Sequence, residues 1–389
     1  MGWTALASQL TEPEPARLEG AVHFEVASAR HDAALRRLLR ENPMPGQISL
    51  SLEREPDYFA AAAIEGSESK TIVALEGDRV ICAGSISARL RFINGAPMRI
   101  GYLGGLRVAA CCSGQGSIIR RGFDYFRRLH DQGGPPIYLT SIIADNLRAR
   151  RLLESGLKGM PTYRFLTEFV TLVIRLRPAG ETRKRLRSLS SMVLQNGRRI
   201  VCDTRPTEAV LDLLNRDYRQ YQFAPAWSAH EPRLQEFRSV CSQDGTPVAC
   251  AAIWDQRAIK QTVVRGYANG LRWIRPLINL GAPILGRPSL PRVGEPVSHA
   301  FVSHMAVDML QPHLAELLFL FLQGPAHRRG IDYLMIGFDA RDPRLRHFRK
   351  VFRPREYVSR LYAVHWDDDG AKLAQGLDDR ALAPEVALL

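Results

Sequence analysis

Apolar and polar residues recur along this chain in short blocks, and the blocks predict strands of a mixed sheet interleaved with helices. His23–Ala27 reads as a strand and His31–Arg40, which stops before Pro43 and Pro45, as a helix. Asp57–Ile64, after Pro56, reads as a second helix. Lys70–Leu75 and Val80–Phe92 alternate on either side of Gly77-Asp78 and form a hairpin. A short apolar strand containing Leu106 and Val108 then enters a small polar turn with two glycines, Ala109 to Gly116. The next segment is amphipathic. Ile118, Ile119, Phe123, Phe126 and Leu129 lie on one side, and Arg120, Arg121, Asp124, Arg127 and Arg128 on the other. Ile137–Ile143 reads as a buried strand, and Leu147–Ser155 as a helix with Asn146 at its N-cap and Gly156 just past its end. Tyr163–Arg175 is a long alternating run, hence a strand.

A strand, a glycine turn and a helix in that order aim several backbone N–H groups and the positive end of the helix dipole at one point. A phosphate or pyrophosphate is the natural occupant, although a plain turn has the same local pattern. With the strand and Asn146-capped helix downstream, the segment resembles the GNAT acyltransferase superfamily over roughly residues 20 to 175. Leu106 and Val108 match that family's motif strand, Gly114 and Gly116 its loop, and Asn146 with Ala149 its second motif. The resemblance implies an α/β fold built on a mixed sheet. It also implies an acetyl-CoA or other acyl-CoA cofactor held by Leu106, Val108, Ser113, Gly114, Gln115, Gly116, Ser117 and Asn146, and transfer of the acyl group to an amine acceptor.

The chain departs from the family pattern at positions that carry chemistry. Ser113 stands where the family prefers Arg or Gln, Ile118 where it prefers Gly or Ala, and Leu153 where a tyrosine often protonates the departing thiolate. No Asp or Glu lies on Ile100–Val108, where a general base is common. Tyr102 and Tyr163 are therefore the candidates for acid or base duty, against a core or rim role for either. A backbone N–H of the motif strand can polarise the thioester carbonyl.

The pattern then starts again. Arg199–Cys202 reads as a strand, Thr207–Tyr218 and Pro232–Cys241 as helices, and Pro247–Trp254 with Ala258–Tyr267 as a hairpin. Phe301–Val307, Leu314–Leu322, Asp332–Phe338, Pro343–Phe352 and Val358–His365 repeat the motif strand, helix, strand, helix and closing strand. Leu106-Arg107-Val108 parallels Met305-Ala306-Val307, and Asn146 parallels Asp342, at separations of 40 and 37 residues. Two tandem GNAT-like domains are expected: 21–176 with the acyl-CoA loop and 199–368 as a degenerate copy. The remaining segments are a flexible N-terminal tail over 1–20, a basic linker over 177–198 and a C-terminal tail over 369–389. After Val307 the glycines are replaced by Asp308-Met309-Leu310-Gln311-Pro312, so no second cofactor site is expected. If the halves face each other, His299 or His304 can reach a shared pocket and titrate near neutral pH. Residues 266–298 form an insertion rich in Gly and Pro yet apolar, suited to covering an acyl chain, a substrate groove or a partner, or to packing between the domains.

Composition narrows the classes. The 389 residues carry a net charge of +13, in clusters over Arg175–Arg199 and Arg341–Arg355, which draws phosphates, nucleic acid, acidic membranes or acidic proteins. No aromatics interleave the first cluster, so single-strand binding is not indicated. No apolar run reaches about eighteen residues, so no transmembrane helix is expected. Met1–Leu10 lacks the pattern of a secretory leader, and Gly2 lacks that of a myristoylation site. Six cysteines without C-x-x-C spacing read as reduced, in a cytoplasmic protein. Cys111 and Cys112 are either packing residues or a nucleophile beside a helix N-terminus. No metal-ligand spacing and no G-x-S-x-G elbow occur. Three functions stand: a coenzyme A-dependent N-acetyltransferase, an aminoacyl-tRNA-dependent transferase of the tandem type, and a non-catalytic acyl-CoA sensor.

Overall fold

A computed structural model describes residues 22–389 apart from 67, 113–115, 178, 204–206, 229–235 and 283–287. The first half runs β1 (Val22–Val26), α1 (Asp32–Glu41), β2 (Ile48–Glu53), α2 (Ala62–Glu65), β3 (Glu68–Glu76), β4 (Arg79–Ile93), β5 (Ala96–Val108), α3 (Gly116–His130), β6 (Tyr138–Ile143), α4 (Leu147–Leu153) and β7 (Thr162–Arg175). The second half opens with α5 (Ala179–Gln195), β8 (Arg199–Asp203), α6 (Glu208–Tyr218), β9 (Glu236–Cys241), β10 (Pro247–Trp254), β11 (Gln261–Tyr267) and α7 (Asn269–Gly281). It closes with β12 (His299–Ala306), α8 (Pro312–Arg328), β13 (Tyr333–Asp339), α9 (Pro343–Phe352), β14 (Arg355–His365) and α10 (Asp368–Gln375).

Twelve strands form one sheet in the order β1-β3-β4-β5-β6-β14-β7-β13-β12-β10-β9-β8. The order is nearly symmetric about its centre, with each half contributing one parallel pair, β5 with β6 and β12 with β13. The closing strands are exchanged across that centre. β14 of the second half pairs with β6 of the first, and β7 of the first half pairs with β13 of the second. The two closing strands also pair with each other, from Arg355 opposite Val173 to His365 opposite Thr162.

The two halves repeat in detail. A bulge breaks β5 against β4 between Gly104 and Arg107, and another breaks β12 against β10 between Ser303 and Ala306. The bulge makes a left-handed backbone residue of Gly105 (φ 65°) in one and His304 (φ 51°) in the other. After each parallel pair a short polar side chain caps the next helix: Asn146 Oδ1 accepts from Ala149 N at 3.1 Å, and Asp342 Oδ1 from Arg344 N at 2.8 Å.

Several sequence expectations are corrected. Residues 236–241, expected within a helix, form β9 between β8 and β10. Phe237 to Cys241 are all buried, the polar Arg238 and Ser239 included, so the order of apolar and polar residues carries no period that separates helix from strand. The expected hairpin partner of β10 pairs elsewhere: β11 joins β2 of the first half in a separate two-stranded ribbon. The basic segment between the halves is α5, with Leu189 and Val193 packed into the same core as α8 and Arg185 paired with the buried Glu316 of α8. Residues 368–375, expected in a tail, form α10, whose N-cap Asp367 accepts from Gly370 N at 2.7 Å. The N-terminal tail over 1–20 lies outside the described residues.

The largest core lies in the second half, where α8 is buried nearly all round and Phe319 meets Phe348 and Phe352. Arg91 of β4, 1% exposed, crosses between halves and donates through Nη1 to the carbonyls of Phe223 (2.7 Å) and Pro384 (2.9 Å). Among the described residues no helix is long and apolar enough to cross a membrane. Because β7 finds its partners only across the centre, residues 1–177 expressed alone should aggregate or unfold without a cooperative transition. Co-expression with 178–389 should restore a soluble complex, as judged by size-exclusion chromatography and circular dichroism.

Candidate active site

β5 and β6 stay paired only from Gly101 opposite Tyr138 to Leu103 opposite Thr140. The last rung is pinned by Thr140 Oγ1, which donates to the Leu103 carbonyl at 2.7 Å. Beyond it the β5 bulge bends the strand, and the two strands part. Glycine is required here twice. A Cβ on Gly104 would come within 2.7 Å of the Tyr102 ring, and Gly105 holds a backbone conformation that L side chains rarely adopt. A bulge takes residues out of the ladder, and Gly105 and Leu106, between the Gly104–Ser85 and Arg107–Ala83 pairs, have no partner in β4, which leaves main-chain groups for another partner.

The opening leads into a cavity of about 470 Å³. Leu106 and Arg107 of β5, Ser141 to Ile143 of β6, and Asn146 and Ala149 of α4 line it where the strands part. On the side of α3 the lining is apolar: Phe24, Ile72, Ile119, Phe123, Phe126 and Leu153. Leu153, which replaces the family tyrosine, is thus part of an apolar wall. On the side of the β2–β11 ribbon the lining is polar and includes Arg54, Glu65 and Lys260. Glu65 takes Arg54 Nη2 at 2.5 Å and Lys260 Nζ at 3.2 Å. Burial alone would raise its carboxyl, but these cations outweigh burial and hold it below the usual carboxylate range. Residues 386–389 also line the cavity, as does Phe301, so both halves build it.

The sequence-derived candidates separate into groups. Leu106, Asn146, Tyr102 and Tyr163 all line the cavity. Burial holds both tyrosine hydroxyls well above their ordinary value, so they stay protonated at neutral pH and suit an acid better than a base. Val108 turns aside to pack against the cluster of Ile81, Cys82, Cys112 and Ile118. Gly116 and Ser117 are exposed at the first turn of α3. Ser113, Gly114 and Gln115 lie outside the described residues. Of the two histidines, His299 reaches the cavity, 8% exposed, with burial lowering its pKa. His304 does not line it. Burial pushes Cys112 up to about 11, so it is no thiolate at neutral pH.

His304 sits instead where β12 and β13 part, and that second cleft is filled by the chain itself. Its ring is stacked on Trp227 with centroids 3.7 Å apart, and burial lowers its pKa well below the ordinary histidine value. Its backbone N–H, the counterpart of Gly105 N–H, donates to Glu385 Oε1 at 2.8 Å. Tyr218 Oη donates to the same oxygen at 2.5 Å, and Leu382 N–H donates to Asp339 Oδ2 at 2.8 Å. About 50 Å³ remains open beside Glu385.

Sequence reasoning missed Gly104-Gly105, although paired glycines inside a strand pattern signal a bulge. It also missed Arg54, Glu65 and Lys260, which only the tertiary fold gathers. No metal site was expected, and the fold brings His313, Glu316 and His347 within 4.8 Å of one another. Glu316 is fully buried, accepts Arg185 Nε (2.6 Å) and Nη2 (2.9 Å), and lies 2.8 Å from His347 Nε2. A bidentate guanidinium already satisfies that carboxylate.

No family model matches the sequence, and no curated protein does. Solved structures do. N-myristoyltransferase of Saccharomyces cerevisiae with bound myristoyl-CoA aligns with TM-score 0.54 and 10% identity over 96% of this chain and 91% of its own. The same protein with myristoyl-CoA and inhibitors aligns with TM-score 0.52 and 11% identity over 95% and 87%. A GCN5-related glucosamine N-acetyltransferase region of a fungal multi-domain GH3 β-N-acetylglucosaminidase aligns with TM-score 0.50 and 10% identity over 89% and 38%. The chain has the GNAT fold. The splayed parallel strands and the capped α4 lie at the segments matched to the motif strand and second motif, the bulge in β5 was not expected, and a second, internally filled copy lies in the other half.

Glu385 makes the filled cleft sensitive to pH. Burial raises its carboxyl to about 6, against 4.5 when unfolded, although Tyr218 and the His304 N–H oppose the rise. A raised acid favours the fold below the unfolded value and loses that contribution as pH climbs through the folded one. The loss is about 2 kcal/mol at most. Glu385→Gln, which keeps the neutral shape, should therefore gain stability relative to the native chain between pH 4.5 and pH 7 in urea titrations.

Proposed function

We propose that this chain is a coenzyme A-dependent N-acyltransferase, and that the acyl group it transfers is longer than acetyl. The observation that carries the reading is the cavity that opens where β5 and β6 part and is lined beneath α3 by apolar side chains, a space we read as an apolar arm. Main-chain groups at the bulge, Gly105 and Leu106, suit a pantetheine arm and a thioester carbonyl, and the first turn of α3 with the neighbouring Arg120 suits its phosphates. Coenzyme A when bound supplies an activated acyl thioester. An acetyl group would leave the apolar arm open, whereas a fatty acyl chain fills it against Phe24, Phe123 and Phe126. The myristoyl-CoA held by the yeast structural neighbours is in keeping with this.

The chain's own residues then divide the work. Residues 21–176 form the donor-binding copy, and 199–368 wall the acceptor side of the same cavity. Tyr102 and Tyr163, kept neutral by burial, stand ready to return a proton to the leaving sulfur. The acceptor amine enters along the polar side, where Glu65 fixes its approach between Arg54 and Lys260. His299, lowered by burial, is the uncharged imidazole in reach of that side.

Calorimetric titration with saturated acyl-CoAs tests the donor. Each added CH₂ should tighten binding up to about fourfold until the arm is full, on the basis of ~0.8 kcal/mol per buried methylene. Acetyl-CoA binding as tightly as decanoyl-CoA would overturn the chain-length reading, and no acyl-CoA binding would overturn the whole assignment. A thiol-release assay across an amine panel separates an enzyme from a sensor. In it, Tyr102→Phe or Tyr163→Phe should lower kcat by about a hundredfold with donor affinity unchanged.

A further inference from the structure

α7 is built inside out. None of its thirteen residues is buried. The line that leans on the protein, Leu271, Arg275 and Asn279, is partly polar: Arg275 lies over the Tyr267 ring at 5.7 Å, and Asn279 holds Leu290 by two hydrogen bonds of 2.7 and 3.0 Å. The opposite face looks outward and is apolar. Trp273 is 80% exposed, Leu277 71%, Leu280 76% and Ile274 50%. A soluble helix ordinarily presents these faces the other way round, and a contiguous exposed apolar face of this kind marks an interaction surface.

Charge identifies the partner. From Asn269 to Gly294, which is α7 and the chain that follows it, the sequence holds Arg272, Arg275, Arg287 and Arg292, and no Asp or Glu. The cations just before it, Arg257, Lys260 and Arg265, are held by Asp255, Glu65 and Glu53. An apolar face carrying an exposed tryptophan, on a segment with only positive charge, is the composition of a helix that lies in the headgroup region of an anionic bilayer. At 1.5 Å per residue the helix is about 20 Å long, too short to span a hydrocarbon core of about 30 Å, so it lies on the surface. A second copy of this chain is a poorer match, because a two-fold contact through α7 would set like charges against each other.

We infer that α7 docks the protein on an anionic membrane surface. β11 leads directly into α7, and Thr262 of β11 lines the cavity. Docking therefore holds the cavity close to the bilayer, where acyl chains and lipid-borne amines concentrate.

Vesicle sedimentation tests this with the full chain. Vesicles of phosphatidylcholine containing phosphatidylserine should retain the protein at least about tenfold better than phosphatidylcholine alone, with the preference fading as salt is raised. Trp273→Ala combined with Leu277→Ala should lose about tenfold of that affinity while circular dichroism stays unchanged, since both side chains point into solvent. Failure to bind anionic vesicles would overturn the inference. Undiminished binding by the double variant would do so too, as would a dimer of the native chain that this variant dissolves. Acyl-CoA affinity, measured separately in solution, should be the same in native and variant chains.

Discussion

Residues 162–175 find their ladder partners across the middle of the molecule: one edge of β7 meets β14 and the other meets β13. Buried backbone N–H and C=O groups go unpaired only at high cost. The first half therefore completes its sheet by borrowing β14, and the second by borrowing β7. Everything used for recognition is hung on that arrangement. It fixes where β5 and β6 part, it sets only β14 and β7 between them and the parallel pair β13 and β12, and it brings the second half's His299 and Phe301 to the wall of the first half's cavity.

The same geometry is used twice to different ends. At one bulge stands Gly105, and the space beyond its N–H is open. At the other stands His304, and the space is filled by a carboxylate of the chain's own C-terminal segment. Glu385 thus sits against the main chain in the way an anionic ligand group would, and Tyr218 and the stacked Trp227 close around it. The cost is a buried carboxyl raised to about 6 and a non-glycine residue held at positive φ. Arg91 offsets part of it by gripping the carbonyl of Pro384, the residue immediately before Glu385.

Features set by neighbours in sequence were legible. Asn146 and Asp342 announce helix starts because a cap needs one side chain and the next two or three N–H groups. The strand–turn–helix order around Leu106 was readable for the same reason. Features set by distant partners were not. Nothing near Gln261 says that it will lie opposite Glu53 rather than a β10 residue. Phe237 and Val240 belong to a run buried on every side, where periodicity vanishes. The arginines of α5 hid a helix whose few inward residues, Leu189 and Val193, are sparse. Arg54, Glu65 and Lys260 are unremarkable until β2, α2 and β11 converge.

Exchange of closing strands also governs how such a chain can diversify. A duplicated unit ordinarily frees one copy to drift, because the other keeps the activity. Here a slip of one residue in β14 would turn every side chain of the strand to the opposite face against both β6 and β7. The copy with the filled cleft can therefore change its loops and groove, but its central strands cannot change register without disrupting its sibling.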